Sequence, residues 1–472
     1  MSVKTTALLI FGLSLWCLSI LAPQDATNGQ IVTRLALTLS ILDRGTVEIT
    51  PFEDMTTDKA RVGDHYYADK TPGHPLLALP AVALAKVGHG FAGIGENTLD
   101  PQVFFDYAKW ATLGTNCLIS ALAIALVFLT AVGLGASRAG AIFAAFSLGW
   151  ATPFLGWSTA FFAHSVTGSF LLFGLATILQ LFPATPTKPA RRWAILLLGL
   201  LLGYTLVIDL TAAPAVVILG IFALARSRKT SPLLPAMLLL GSGGLLGLLP
   251  LLVYNGLAFG SPFHLGYADT DYAGMQQGFF GITWPNPLVL MKLLFGLYRG
   301  LLPLSPVLIV VPFGLVAMAQ KTDLRGVAWL IALIVVTYLW INASYYYWNG
   351  GWSLGPRHLV AMLPLAAVAL AFAWPAKRHA KIAVSALLAI SLPISVACAL
   401  AGMFPPDWIE RPFFDWVLPH VVTPNNAVRA TFVTCICAAL AVLLYRADRR
   451  PTGNATAEET HACLVPEPAR GA

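Results

Sequence analysis

Three observations predict an all-α polytopic membrane protein. Hydrophobic residues make up 57% of the 472 and charged residues only 11%, where a soluble domain carries about 25% charge. Mean hydropathy is +0.74. The apolar residues come in continuous runs long enough to cross a bilayer as helices, not in the short alternating segments of a barrel. The net charge of +7 does not point to nucleic acid, because Lys and Arg sit in short loops between apolar runs, where they set orientation.

Taken in order, residues 6–22 form the first run, preceded by Lys4. A cleaved signal peptide ending near Ala22 is one reading, but the run also just spans a bilayer and is read as a retained anchor. Residues 23–110 form a long first loop on the outer side. Within it, Ile31, Leu35, Leu39 and Leu42 recur at helical spacing, with Thr38, Asp43 and Arg44 on other faces. This predicts an amphipathic surface helix ended by Gly45, and a second is predicted over 75–87. Further spans are expected at 111–135, 140–156, 164–182, 194–208, 210–225, 232–253, 300–319, 326–344, 359–375, 382–402 and 429–446. With the first, that makes about twelve transmembrane helices of ~20 residues each. The six cysteines lack metal-ligand spacing and read as small core residues.

Charge sets the orientation. With the N-terminus inside, the cytoplasmic segments hold seventeen of the 29 Lys and Arg but only five of the 22 Asp and Glu. Every cytoplasmic turn is then short and basic, as orientation by positive charge requires. The expected location is therefore the cell (inner) membrane, multi-pass, with both termini cytoplasmic. Residues 1–450 form the membrane domain, and the polar tail 451–472 is expected to be disordered. The tail's Asn454-Ala455-Thr456 matches a glycosylation acceptor but falls on the cytoplasmic side. All the elaborate loops lie on the outer side: 23–110, 157–164, 254–299, 345–358 and 403–428. Transporters usually place polar sites near the midplane, on broken helices; a one-sided array of loops suggests a catalytic face.

The densest polar segment, Asp58 to Pro75, packs acids, bases, tyrosines and histidines together. Moving a sugar off a lipid-linked phosphate needs a carboxylate to accept a proton, cations to hold the leaving phosphate, and a cleft for both substrates. Asp58 and Asp25 are the candidate bases, each balanced against a solvated loop acid. Lys70, ahead of the Pro72-Gly73 turn, Arg357 in Gly355-Pro356-Arg357-His358, and Arg299 in Tyr298-Arg299-Gly300 are the candidate phosphate ligands. A cation at the end of a span also snorkels to head groups, and that reading competes most strongly for Arg299. His164 and Asp209, at the tops of spans, are candidate substrate contacts. Asp209 also suits the cap of the helix that follows. Tyr67 and Asn349 complete the substrate set, the tyrosines competing with an interfacial belt. No cofactor is required. A divalent cation gathered by Asp58, Asp64, His65 and Asp69 is the one metal arrangement considered, and its spacing matches no established loop.

At these residues the chain resembles the GT-C class of integral membrane glycosyltransferases, in the branch of protein O-mannosyltransferases and lipid A aminoarabinose transferases. The likeness rests on the first span, the long outer loop and Tyr66-Tyr67-Ala68-Asp69-Lys70-Thr71-Pro72-Gly73. It extends to Tyr254-Asn255 with Phe259-Gly260-Ser261-Pro262, Arg299-Gly300-Leu301-Leu302 with Ser305-Pro306, and Gly355-Pro356-Arg357-His358, over roughly residues 1–375. The resemblance implies inverting transfer from a polyprenyl-phosphate-linked sugar to a glycan, lipid or protein acceptor at the outer membrane face. It also implies a first-loop aspartate as base and Lys70 on the phosphate. The sequence departs from the pattern in two places. The family's acid directly follows the first span, where Asp25-Ala26-Thr27-Asn28 stands, and a second acid expected near the fourth span is replaced by Ala163-His164. A lipid or sugar transporter, a flippase, or a non-catalytic glycan-assembly protein is the alternative.

Overall fold

The structure, a computed structural model, describes residues 1–22, 25–92, 97–185, 190–270 and 273–449. The predicted tail 451–472, with Asn454, lies outside the described residues, as do Lys188 and Arg450. Helix α1 (Val3–Leu21) starts at Ser2, whose hydroxyl accepts from the Thr5 amide. Helix α2 (Gly29–Arg44) is capped by Asn28 and ends at Gly45 in the left-handed region, φ +64, where glycine meets no Cβ penalty.

The expected surface position of α2 needs correction. Residues 31–40 are all buried, so no face of this stretch meets water. A 3-10 turn, Thr50–Met55, packs on the helix, and Thr56 Oγ1 donates to Gly29 O at 2.9 Å. Beyond the turn a two-stranded hairpin, β1 (Ala60–Val62) and β2 (His65–Tyr67), turns at Gly63 (φ +62). The apolar stripe read from the sequence is present, but neighbouring loop and helices cover the other faces too.

The second surface helix is α3 (Gly73–Ala92), a 20-residue helix long and apolar enough to cross a membrane. It runs antiparallel to α4 (Pro101–Thr112), with His74 Nε2 against Asn116 Oδ1 (2.9 Å) at one end and His89 against Asp106 (2.5 Å) at the other. The hairpin therefore returns the chain to the level it left. A π turn, Leu113–Cys117, joins α4 to α5 (Leu118–Gly133), which enters the bundle.

The predicted spans are helical in turn. They are α6 (Arg138–Trp150) with α7 (Phe154–Trp157), α8 (Ala163–Leu181), α9 (Arg192–Ile208), α10 (Ala213–Ser227) and α11 (Leu233–Phe259). The long loop after α11 holds α12 (Pro287–Phe295). The next span is broken by Pro303, Pro306 and Pro312 into α13 (Leu301–Leu304), a 3-10 turn and α14 (Val311–Ala319). Then follow α15 (Arg325–Ser344), α16 (Leu363–Leu370) flanked by 3-10 turns, α17 (Arg378–Ala401), α18 (Leu418–Val421) and α19 (Pro424–Asp448). Among the described residues, nine helices are long and apolar enough to span a membrane, and three shorter apolar ones cover 192–208, 306–319 and 357–373. The chain is an integral membrane protein.

Helices α9 and α11 touch backbone to backbone. A Cβ on Gly203 would lie 2.2 Å from Gly244 O, and one on Gly247 2.3 Å from Leu200 O. With little hydrophobic drive between helices in lipid, such close approach through small residues is what holds a pair together. It also fixes the end of α9, which carries Asp209.

Candidate active site

The loops that the charge pattern assigns to one face meet at one end of the bundle, around a cavity of about 800 Å³. Asp25, Asp58, Lys70, His164, Asp209 and Arg357 all line it. Segments 58–70 and 350–357, nearly 300 residues apart, thus share a single hollow.

The segment before α3 is anchored by its backbone. Tyr254 donates its hydroxyl to Ala68 O (2.7 Å), Thr71 to Ile208 O (2.9 Å) and Tyr204 to Gly73 O (3.0 Å). Gly73 is pressed against α9, where a Cβ would lie 2.4 Å from the Val207 carbonyl carbon. The Thr71-Pro72-Gly73 turn therefore fixes Lys70 in place. Its ammonium pairs with the buried Asp69 and lies 5.4 Å from the Tyr267 ring. Burial raises the Asp69 carboxyl, and Lys70 only partly offsets it. For Lys70, burial acts downward, but Asp69, then Asp58 and Tyr267, outweigh it and hold the ammonium above the usual lysine range.

Two guanidinium groups face the same space. Arg34 on α2 and Arg357 at the start of its span are each 5% exposed, and each lies 5.6 Å from the centre of the Phe162 ring. Arg34 Nη1 donates to Gln30 O (2.9 Å) and Oε1 (3.0 Å). Among the described residues, the Nε atoms of both arginines have no hydrogen-bond partner. Gly350, at φ +72, leaves Arg357 its room, since a Cβ there would sit 2.9 Å from Arg357 Nε. Arg34 was not singled out from sequence; its signal was an arginine set within the apolar face of Ile31 and Leu35. Three cations on one cavity wall can hold a multiply charged oxyanion.

The two candidate bases sit near one another in the fold. Asp58 has its amide on Thr56 Oγ1 (3.0 Å), and its carboxylate lies beside Gly29 at the start of α2, a position favourable to an anion. Asp25 accepts from the Thr27 amide (2.8 Å) and hydroxyl (2.9 Å). His164 Nδ1 lies 3.2 Å from Asp209 Oδ2, while Asp209 Oδ1 accepts from the Thr211 amide (3.0 Å). Asp209 therefore caps the next turn and places a carboxylate beside His164 at the start of α8.

Three sequence candidates do not line the cavity. Arg299 is fully buried behind it, donating to Asn349 O (2.8 Å), Tyr298 O (3.1 Å) and Gly351 O (2.8 Å). Each of its three nitrogens already donates to a backbone carbonyl, and the side chain does not reach the cavity, which counts against the phosphate reading of Arg299. Asn349 carries that same loop, and Tyr67 packs its ring edge on Phe259 at 5.9 Å. The four possible metal ligands also separate: His65 faces Glu48, Asp64 faces Arg61 and Asp69 faces Lys70. Among the described residues no three His, Cys, Asp or Glu gather closely enough to hold a metal.

No family description and no curated protein matches the chain. Among solved structures, it is similar in shape to ArnT from Cupriavidus metallidurans bound to undecaprenyl phosphate. That match has 15% identity and a TM-score of 0.49, over 98% of this chain and 76% of that one. It is also similar to the oligosaccharyltransferase AglB from Archaeoglobus fulgidus in complex with an inhibitory peptide and a dolichol-phosphate. Identity there is 13% and TM-score 0.48, over 85% of this chain and 56% of that one. This chain thus spans little more than half of the archaeal protein. At these values both likenesses concern overall shape and carry nothing about chemistry.

Proposed function

We propose that the protein is a GT-C-type glycosyltransferase that moves a sugar from a polyprenyl-phosphate-linked donor to an acceptor at the outer membrane face. One observation carries this reading: a single cavity at one end of a membrane bundle presents Lys70, Arg34 and Arg357 together with the carboxylates of Asp58 and Asp25. Cations would hold the donor phosphate and stabilise it as it leaves. A first-loop carboxylate would take the acceptor's proton, Asp58 or Asp25. The acceptor's heteroatom attacks the anomeric carbon as the bond to the phosphate oxygen breaks, inverting the centre, and the phosphate departs with the bonding electrons. The aromatic wall of Tyr345, Tyr346 and Tyr347 suits a sugar face.

The test is transfer by purified protein in nanodiscs, from polyprenyl-phosphate sugars to membrane extracts, with mass spectrometry of the products. A new glycosidic bond that disappears in K70M supports the reading. Movement of the donor across proteoliposomes with no new bond would establish a transporter instead.

A further inference from the structure

The cavity is lined by buried polar atoms that no group among the described residues satisfies. His164 Nδ1 is taken by Asp209 (3.2 Å), and His358 is hydrogen-bonded to the Tyr347 backbone. The Nε2 atom of each is buried without a partner. Their rings lie 5.4 Å apart at 74°. On α15, the Tyr338 hydroxyl and both side-chain heteroatoms of Asn342 are likewise buried and unpartnered. All four residues line the cavity, and Tyr338 and Asn342 lie within the span α15.

Such groups are costly in an apolar surround: each unpaired buried donor or acceptor carries a desolvation penalty, more so at membrane depth. Five such atoms lining one cavity are best explained by a ligand that pairs with them. Its chemistry follows from the set. With Nδ1 holding the shared proton, each imidazole offers Nε2 as an acceptor; Asn342 offers one acceptor and a donating amide, and Tyr338 a rotatable hydroxyl. Neutral groups that both accept and donate, several in one patch, fit adjacent hydroxyls better than a carboxylate or a hydrocarbon. Asp209, at the same level, further disfavours an anion here.

These residues adjoin the cation wall. His358 follows Arg357 in the chain, and Phe162, which lies under both arginines, is 6.2 Å from the His164 ring. A glycosyl ring begins one bond from its phosphate, so a phosphate at the cations carries its hydroxyls onto these groups.

We infer that His164, His358, Tyr338 and Asn342 form the subsite that reads the hydroxyls of the transferred glycosyl group, with Asp209 as the positioning residue that sets the His164 tautomer. This rests on the proposed function and adds to it the part of the donor that is recognised. The experiment compares binding of two probes to detergent-solubilised protein: decaprenyl phosphate, and decaprenyl phosphate carrying a neutral hexose. Wild type is expected to bind the glycosylated probe at least tenfold more tightly. Y338F and N342L, which remove only unpartnered atoms, should each narrow that gap about five- to tenfold, leave the sugarless probe unchanged, and keep or raise the melting temperature. D209N should narrow the gap likewise. Wild-type protein that binds both probes equally, or variants that keep the full gap, would overturn the subsite while leaving the phosphate site intact. A wild type that binds neither probe would remove the proposed function, and this inference with it.

Discussion

Arg299 and Arg357 look alike in sequence, each following a long polar loop at the start of an apolar run, and both are buried in the fold. Their surroundings separate them. Arg299 gives its donors to three backbone carbonyls and holds the 349–351 loop. Arg357 opens on the cavity beneath Gly350 with its Nε unspent. The first is a brace and the second is available to a ligand. What separates the two is whether the side chain lines the cavity and whether every guanidinium nitrogen is already engaged, not burial or position in the chain.

The comparison can be broken by substitution. The largest effect is expected at the base: D58N or D25N should lower transfer about 10³-fold with unchanged abundance in the membrane. Full activity in both variants would remove the first-loop acids from the chemistry. Next, R357Q should cost about 10²-fold in transfer while moving the melting temperature little. R299Q should do the reverse, destabilising by about 3 kcal/mol because it removes a buried cation's bonds to three backbone carbonyls, that of Gly351 fully buried. Thermal melts and initial rates of the pair, run side by side, decide the matter; equal phenotypes would erase the distinction. The smallest effect belongs to Asp69. Lys70 is raised above the usual lysine range, so its charge, and the stability the pair contributes, is fully present below the ordinary lysine pKa and is lost only above the shifted one. In D69N the chief opposing charge is gone and burial lowers the ammonium, so donor KM should rise between pH 7 and pH 10 while the wild-type value stays flat.

Much of the site was legible because polar residues are scarce in this chain. Lys70, Asp58, Asp25, His164, Asp209 and Arg357 stood out against an apolar background, and all six line one cavity. Arg34 was overlooked because a helix that reads as a surface element makes an embedded arginine look solvated; the turn at 50–55, α3 and α4 pack on that helix, and the guanidinium lies over Phe162. Tyr338 and Asn342 were overlooked for a related reason. Polar residues inside a span are counted against hydropathy, and only the packing reveals that they go unpaired. Arg299, Asn349 and Tyr67 do not line the cavity, and sequence could not separate them from the others because a brace and a cavity lining use the same residue types.

Composition and run length alone determined that this chain fills a membrane with helices, roughly where each helix falls, and which loops share a face. Those properties are local: apolar length sets a span, and charge between spans sets its direction. The tertiary structure decided which side chains keep a free donor or acceptor. That property depends on partners drawn from distant segments, and no single stretch of sequence carries it.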